Sequence, residues 1–419
     1  MTNKITLPNG VKIIYEEVPG VRSFSIGVWV RVGSRDEKDE IAGVSHFIEH
    51  MLFKGTTNRT AKELAEALDT VGGQLNAFTS KEYTCYYAKV LDNHAELAID
   101  VLTDMLFNSK FAEEDIEKEK NVVLEEIKMY EDTPDELVHD LLLSTMWPDH
   151  SLGRTIIGFD HVIKKLSKEK IMNYFKEYYV PTNTVISVAG SFKPDTITSK
   201  LQSIFGSWEG KPTFRQSVDA KTSPSRLIKT KETEQVHLCL GTLGLPMGHE
   251  NTYVLHCLNS ILGGGISSRL FQKIREERGL AYSIYSYTSA YQDNGLVSMY
   301  AGLSQNNLDQ LFELISKEIK DFRTNGVTDS ELYRAKEQLK GNLFLGLENV
   351  SSKMSRLGKA ELCLGRVLTP EEISNRIDKV TKKELHDLAN ALFCRQDWSI
   401  VAIAPEGAQK IINDTNIIG

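Results

Sequence analysis

The pentapeptide His46-Phe47-Ile48-Glu49-His50 sets two imidazoles four residues apart, with a carboxylate three residues after the first. On a helix four residues make about one turn, so both rings face the same side, roughly 6 Å apart. Two nitrogen donors at that spacing suit one tetrahedral zinc ion, and a carboxylate beside them can take the proton of an activated water. The order HxxEH inverts the commoner HExxH, and both are zinc-hydrolase patterns. Two histidines do not complete a catalytic zinc site, which needs three protein ligands and an open position.

The flanking residues divide cleanly on a helical wheel. Val44, Phe47, Ile48, Met51 and Leu52 form one arc, and Ser45, His46, Glu49 and His50 form another. That polar arc carries no lysine or arginine, unlike an ordinary solvated face. A second helical pattern, from Glu113 to about Tyr130, supplies candidates for the third ligand. Ile116, Val123, Ile127 and Tyr130 make its apolar stripe, Glu119 and Glu126 flank it, and Glu125 points the other way. A carboxylate beside a buried face needs a partner. Glu119 and Glu126 lie seven apart, about 10 Å along the axis, so one is expected to be the ligand and the other its support.

These helices sit within a chain that repeats itself once. Strands are expected at residues 11–15, 23–30, 83–90 and 184–190. Helices are expected at 45–53, at 61–71 (stopping at Gly72-Gly73) and at 95–106, 113–130, 135–146 and 168–178, the last with Ser167 as N-cap. Residues 209–227, rich in glycine, proline and serine, read as a linker. The order then returns: a strand at 238–243, a helix at 254–262, and Tyr300-Ala301-Gly302 echoing Tyr87-Ala88-Lys89 ahead of another helix. The repeat sets His256, Asn259 and Ser260 opposite His46, Glu49 and His50. It therefore predicts one metal site per chain, with domains at 1–208 and 228–419. His256 reads as a relic or a satisfied core histidine.

At 419 residues the chain is too long for one ordinary core. A net charge of −8 argues against nucleic acid or an anionic membrane as the main partner. No stretch approaches the roughly 18 apolar residues of a membrane span. The N-terminus shows no apolar signal core, and the five cysteines are scattered without a CxxC pair, as for reduced core thiols. A cytoplasmic enzyme is expected.

Gly43 to Gly55 around the motif, Gly73-Gln74-Leu75-Asn76-Ala77-Phe78-Thr79, Glu119 with Glu126, His150 to Arg154 and Val188-Ala189-Gly190 resemble the pitrilysin/insulinase family of zinc peptidases. The likeness is greatest to its short two-domain bacterial members related to mitochondrial processing peptidase, and it spans almost the whole chain. It implies an α+β fold of two homologous domains, each a mainly antiparallel sheet packed with helices. The family spacing selects Glu126 as third ligand beside His46 and His50, with Glu119 supporting and Glu49 as general base. Asn76, Ala77 and Phe78 would hold an extended peptide by backbone pairing.

Phe271 to Tyr282 resembles the family's Arg/Tyr motif, so Arg275 and Tyr282 would bind substrate carbonyls and the tetrahedral intermediate. Without the resemblance, Arg275 reads as a surface charge and Tyr282 as core. Family architecture further implies a homodimer whose Arg275 and Tyr282 serve the partner's zinc, one zinc per chain. The short Gly263-Gly264-Gly265-Ile266-Ser267-Ser268 segment lacks the long insertion of the non-catalytic processing-peptidase subunit. The competing reading is a structural or binding subunit that keeps the fold without the reaction, and manganese or cobalt could stand in for zinc.

Overall fold

The computed structural model describes residues 2–213, 215, 220, 222, 224–394, 398–408 and 412. Two sheets organise the chain. The first contains β1 (Thr2–Thr6), β2 (Lys12–Glu17), β3 (Ser23–Val30), β4 (Gln74–Thr79), β5 (Thr84–Leu91) and β6 (Thr184–Gly190), in the order β1-β2-β6-β3-β5-β4. The second contains β7 (Arg226–Thr230), β8 (Val236–Leu243), β9 (Ala281–Ala290), β10 (Gly295–Leu303) and β11 (Ser399–Ala404), in the order β7-β11-β8-β10-β9. Without β1, the two orders superpose strand for strand. Among the described residues, the one parallel pair in each sheet is the corresponding one, β2 with β6 and β7 with β11. The duplication expected from the weak sequence echo is thus explicit in topology, and the fold is α+β with two mainly antiparallel sheets.

In the first sheet, β3 is apolar almost throughout because both of its faces are covered. On one face Phe24, Ile26, Val28 and Val30 pack with Phe47, Ile48 and Met51 of the helix Val44–Leu52 and with the helix Ala95–Asn108. On the other face Trp29, Cys85, Val185 and Ile14 pack with Val350, Met354 and Leu357 of the helix Val350–Leu364. That helix lies close to the strand because Gly358 and Gly27 leave room. A Cβ on Gly358 would collide with the Trp29 indole, and one on Gly27 would sit 2.5 Å from Met354 Sδ. Its charged residues are anchored too. Glu361, 1% exposed, accepts from Lys4 at 2.8 Å and pairs with Lys12 at 2.9 Å, and Lys353 reaches Glu16 at 2.7 Å.

The second sheet is built alike. Leu238, Leu240, Val297, Met299 and Ala301 pack with the helices Thr252–Leu262 and Leu308–Asn325. Its other face, with Cys239, Leu296, Tyr300, Val401 and Ile403, is covered by Leu137, Val138, Leu142 and Met146 of the helix Pro134–Met146.

Spatial units therefore differ from the linear domains expected at 1–208 and 228–419. The first unit comprises residues 1–129, 154–216 and 345–367, and the second comprises 130–153, 217–344 and 368–419. Each repeat gives one helix to the other's sheet, and hydrophobic periodicity cannot say which sheet a helix will cover. Within 209–227, residues 214, 216–219, 221 and 223 lie outside the described residues. Arg215 is no free linker residue: its guanidinium donates to both Asp36 carboxylate oxygens at 2.6 Å and to the Glu82 carbonyl at 2.7 Å.

All five cysteines are free thiols. Cys85, Cys239 and Cys257 are buried as expected, Cys363 is half-buried, and Cys394 is exposed. Among the described residues, no helix is long and apolar enough to cross a membrane.

Candidate metal centre

The motif helix Val44–Leu52 begins at Gly43, whose φ of 96° and close approach to Gly158 exclude a side chain, so its own N-cap offers no acceptor. The acceptor comes from Glu37. Gly43 N–H donates to Glu37 Oε2 at 2.6 Å, and Ser45 N–H donates to Oε1 at 2.8 Å. Burial pushes Glu37 up to about 8, against the opposing pull of those two amides and of Arg154. Ser45 Oγ and Tyr174 Oη share a hydrogen bond of 2.9 Å, tying the first turn to the helix Lys168–Tyr178. The predicted Ser167 cap of that helix is present, accepting from Lys170 N–H at 3.3 Å.

His46 and His50 turn their Nε2 atoms toward one point, 3.2 Å apart. Glu126 completes the group: Oε1 lies 3.6 Å from His46 Nε2, and Oε2 lies 3.7 Å from His50 Nε2. Ligand atoms of these three residues all fall within 4.8 Å of one another. Tetrahedral zinc with bonds near 2.0–2.2 Å needs ligand atoms roughly 3.3–3.5 Å apart. Two imidazole lone pairs and a carboxylate aimed at one point repel one another unless a proton or a metal cation lies between them. The residues present fit zinc.

The other carboxylates take separate places. His50 Nδ1–H donates to Glu119 Oε1 at 2.8 Å, which leaves Nε2 as the nitrogen facing His46 and Glu126. Glu119, 3% exposed, also pairs with Lys54 at 2.5 Å. Burial works to raise Glu119, but the hydrogen bonds from His50 and Lys54 outweigh it and hold the carboxylate below its usual range. Burial, reinforced by His50, brings His46 down to about 3, which favours the neutral form that metal binding would require. For His50 burial acts in the same direction, yet the Glu119 hydrogen bond and the surrounding carboxylates raise it overall. Glu49 stands above the ordinary carboxyl value, chiefly through burial. Its Oε2 accepts from Thr79 Oγ1 at 2.5 Å. Glu125 is exposed and pairs with Lys128, as the helical wheel predicts.

The first unit thus brings together His46, Glu49, His50, Glu119 and Glu126. Asn76, Ala77 and Phe78 belong to the same unit, on β4. This strand pairs with β5 on one side and forms the edge of its sheet. Asn76 lies within the strand, opposite Tyr87 of β5. Phe78 packs edge-on to Trp29 at 5.8 Å, near Tyr83 and Tyr87.

Arg275 and Tyr282 belong to the second unit. Arg275, on a short π-helical segment Phe271–Glu276, lies over the rings of Phe271 at 4.8 Å and Tyr282 at 5.7 Å. The core reading of Tyr282 is overturned: the side chain is 75% exposed, because its position at the start of β9 faces outward. An open cleft of about 320 Å³ beside Arg275 is lined by Gly263, Gly264, Gly265, Phe271 and Tyr285.

The degenerate copy has a different character. His256 is exposed, which excludes the core-histidine reading, and Ser260 Oγ donates to Gln338 Oε1 at 2.8 Å. Laying the helix Asp329–Gly346 over Glu113–Glu131, with buried Leu332 on buried Ile116, sets Ala335 opposite Glu119 and Asn342 opposite Glu126.

The chain matches the family model described as "Insulinase (Peptidase family M16)" over residues 12–160 and that described as "Peptidase M16 inactive domain" over residues 165–339. It is 50% identical over 409 residues to an uncharacterized zinc protease of Bacillus subtilis, covering 97% of this chain and 99% of that one.

The chain belongs to peptidase family M16.

An uncharacterized zinc protease of Streptomyces coelicolor is 40% identical, covering 96% of this M16 chain and 89% of its own. Among solved structures, a protease from Helicobacter pylori shares the M16 fold with a TM-score of 0.89 at 21% identity, over 97% of this chain and 99% of the other.

Three side chains that sequence reasoning left out matter to the M16 site. Lys54 follows His50 by one helical turn, a spacing visible in the sequence. Thr79 closes the strand that carries Asn76, and only the fold reveals its reach to Glu49. Glu37 lies in an irregular segment where no periodicity marks it.

Proposed function

We propose that this protein is a zinc-dependent endopeptidase that cleaves unfolded peptides or oligopeptides, with one zinc per chain held by His46, His50 and Glu126. The observation that carries this reading is the convergence of two imidazole nitrogens and one carboxylate at one point, with a further, partly buried carboxyl, Glu49, beside them. A zinc ion there supplies Lewis acidity toward a water and a peptide carbonyl. Glu49 takes a proton from the attacking water and passes it to the leaving amine, a role helped by burial, which raises its carboxyl above the ordinary value. Glu119 fixes the His50 ring through Nδ1 and leaves Nε2 free to bind.

The open edge of β4 at Asn76, Ala77 and Phe78 holds the extended substrate as an added strand, which tolerates many sequences. Arg275 and Tyr282 donate to substrate carbonyls and to the developing oxyanion. We assign them to the zinc site of a partner chain in a homodimeric chamber, working in the cytoplasm.

The direct test is cleavage of a quenched peptide alongside metal analysis. Near-stoichiometric zinc, activity lost to a chelator and an inactive Glu49→Gln are expected; a metal-free, inactive wild type would instead favour a binding subunit. Mixing inactive Arg275→Ala and Glu49→Gln chains tests the composite site. Activity should return on subunit exchange, and no return despite proven exchange would exclude action in trans.

A further inference from the structure

We propose that Thr79 is a positioning residue for peptide hydrolysis, holding the Glu49 carboxylate in fixed register with the edge strand β4. The inference rests on the reading of Glu49 as general base. Thr79 Oγ1 donates to Glu49 Oε2 at 2.5 Å, a short hydrogen bond of the kind a carboxylate accepts. Among the described residues no hydrogen bond reaches Oε1. One oxygen is therefore held, and the other stays available to a water.

The donor itself is rigidly mounted. A β-branched side chain has few χ1 options in a strand, and Thr79 pairs with Thr84 in the β4–β5 ladder. The turn that follows is fixed from outside the hairpin. Ser34 N–H donates to the Ser80 carbonyl at 3.2 Å, and Arg35 N–H donates to the Lys81 carbonyl at 2.8 Å. The Arg35 guanidinium binds Glu82 at 2.6 Å in a buried pair, and Arg215 donates to the Glu82 carbonyl. Glu49, by contrast, has three rotatable side-chain bonds and, among the described residues, no other side-chain hydrogen bond. The hydroxyl of Thr79 thus ties the base to the strand that offers its free edge to a peptide. A carbonyl set in register by β4 and a water set by Glu49 then share one rigid reference, as a near-attack geometry requires.

The test compares Thr79→Val, which keeps the shape and removes the donor, with Thr79→Ser, which keeps the donor. Thr79→Val should lower kcat by about 10–100-fold with KM within about twofold of wild type. Thr79→Ser should recover most of that loss. Zinc affinity of both, read by chelator competition starting from metal-free protein, should match wild type, since Thr79 acts on the base and not on the ligands. Circular dichroism checks folding; if Thr79→Val does not fold, Thr79→Ala against Thr79→Ser gives the same comparison. An unchanged kcat in Thr79→Val while Glu49→Gln is inactive would overturn the proposal and leave the base assignment standing. So would a rise in KM alone, or a loss of zinc parallel to the loss of activity. Full activity of Glu49→Gln would overturn the base assignment, and this proposal with it.

Discussion

The two halves of the molecule use one strand order for opposite ends. In the first unit the helix Val44–Leu52 presents two imidazoles and a carboxyl from a partly buried face, and its N-terminus is gripped by the buried Glu37. In the second unit the helix Thr252–Leu262 fills the matching place with an exposed His256, while Ser260 settles its hydroxyl on the neutral amide of Gln338. Both helices bury an equivalent apolar face against an equivalent sheet. The second core forms with no metal-binding group among the described residues. The lesson is that the metal group is an addition to a fold already stabilised by apolar burial, unlike small zinc domains that need the ion to fold.

Converting the first copy stepwise into the second breaks that comparison at chosen points. The largest effect is expected from His50→Ser, copying Ser260. Stoichiometric zinc should be lost by metal analysis and peptide cleavage abolished, with the far-UV spectrum retained. Collapse of the fold would mean that the ion is structural after all. Glu49→Asn, copying Asn259, should lower kcat by about 10²–10⁴-fold while zinc stays bound; a change confined to KM would count against its role as base. Glu119→Ala, copying Ala335, should weaken zinc by about 10–100-fold in chelator competition. It also leaves Lys54 without its carboxylate, so Glu119→Gln is the milder companion.

The smallest effect concerns Glu37, which holds the motif helix without touching the metal group. Glu37→Gln keeps one acceptor but turns an NH₂ toward an amide donor, and should cost about 1–3 kcal/mol in denaturant titrations. A carboxyl whose folded value is raised, here to about 8, contributes stability present below its ordinary value near 4.5 and lost as pH climbs through about 8. The gap between wild type and Glu37→Gln should therefore narrow across that window. A gap that widens with rising pH would show that Glu37 is held ionised.

What the sequence disclosed follows from the range over which each relation acts. His46, Glu49 and His50 are one turn of helix, and Glu119 and Glu126 betray themselves as acids beside an apolar stripe. Helical period marked all five as candidates, while the choice of Glu126 over Glu119 as ligand came from the family resemblance. The strand Thr184–Gly190 and the helix Lys168–Tyr178 fall where alternation and capping put them. Relations that only tertiary structure creates were hidden. Thr79 meets Glu49 across thirty residues, and Glu37 meets Gly43 through an irregular segment. Arg215 sits in a stretch whose serines and prolines promise nothing but a linker, yet it is almost wholly buried against Asp36 and Glu82. Tyr282 looked like core because alternation names the two faces of a strand but not which is covered.

The exchange of helices also sets a timetable. Trp29, Ile14 and Val185 acquire their apolar cover only when Val350, Met354 and Leu357 have been made. At about 5–20 residues per second, a ribosome takes roughly 15–60 s to travel from Trp29 to Val350. From the completion of β6 at Gly190 until Val350 is made, the second half of that interval, the first sheet has one covered face and one bare face. A nascent or truncated chain ending near residue 208 is therefore an aggregation-prone intermediate and not a half-enzyme.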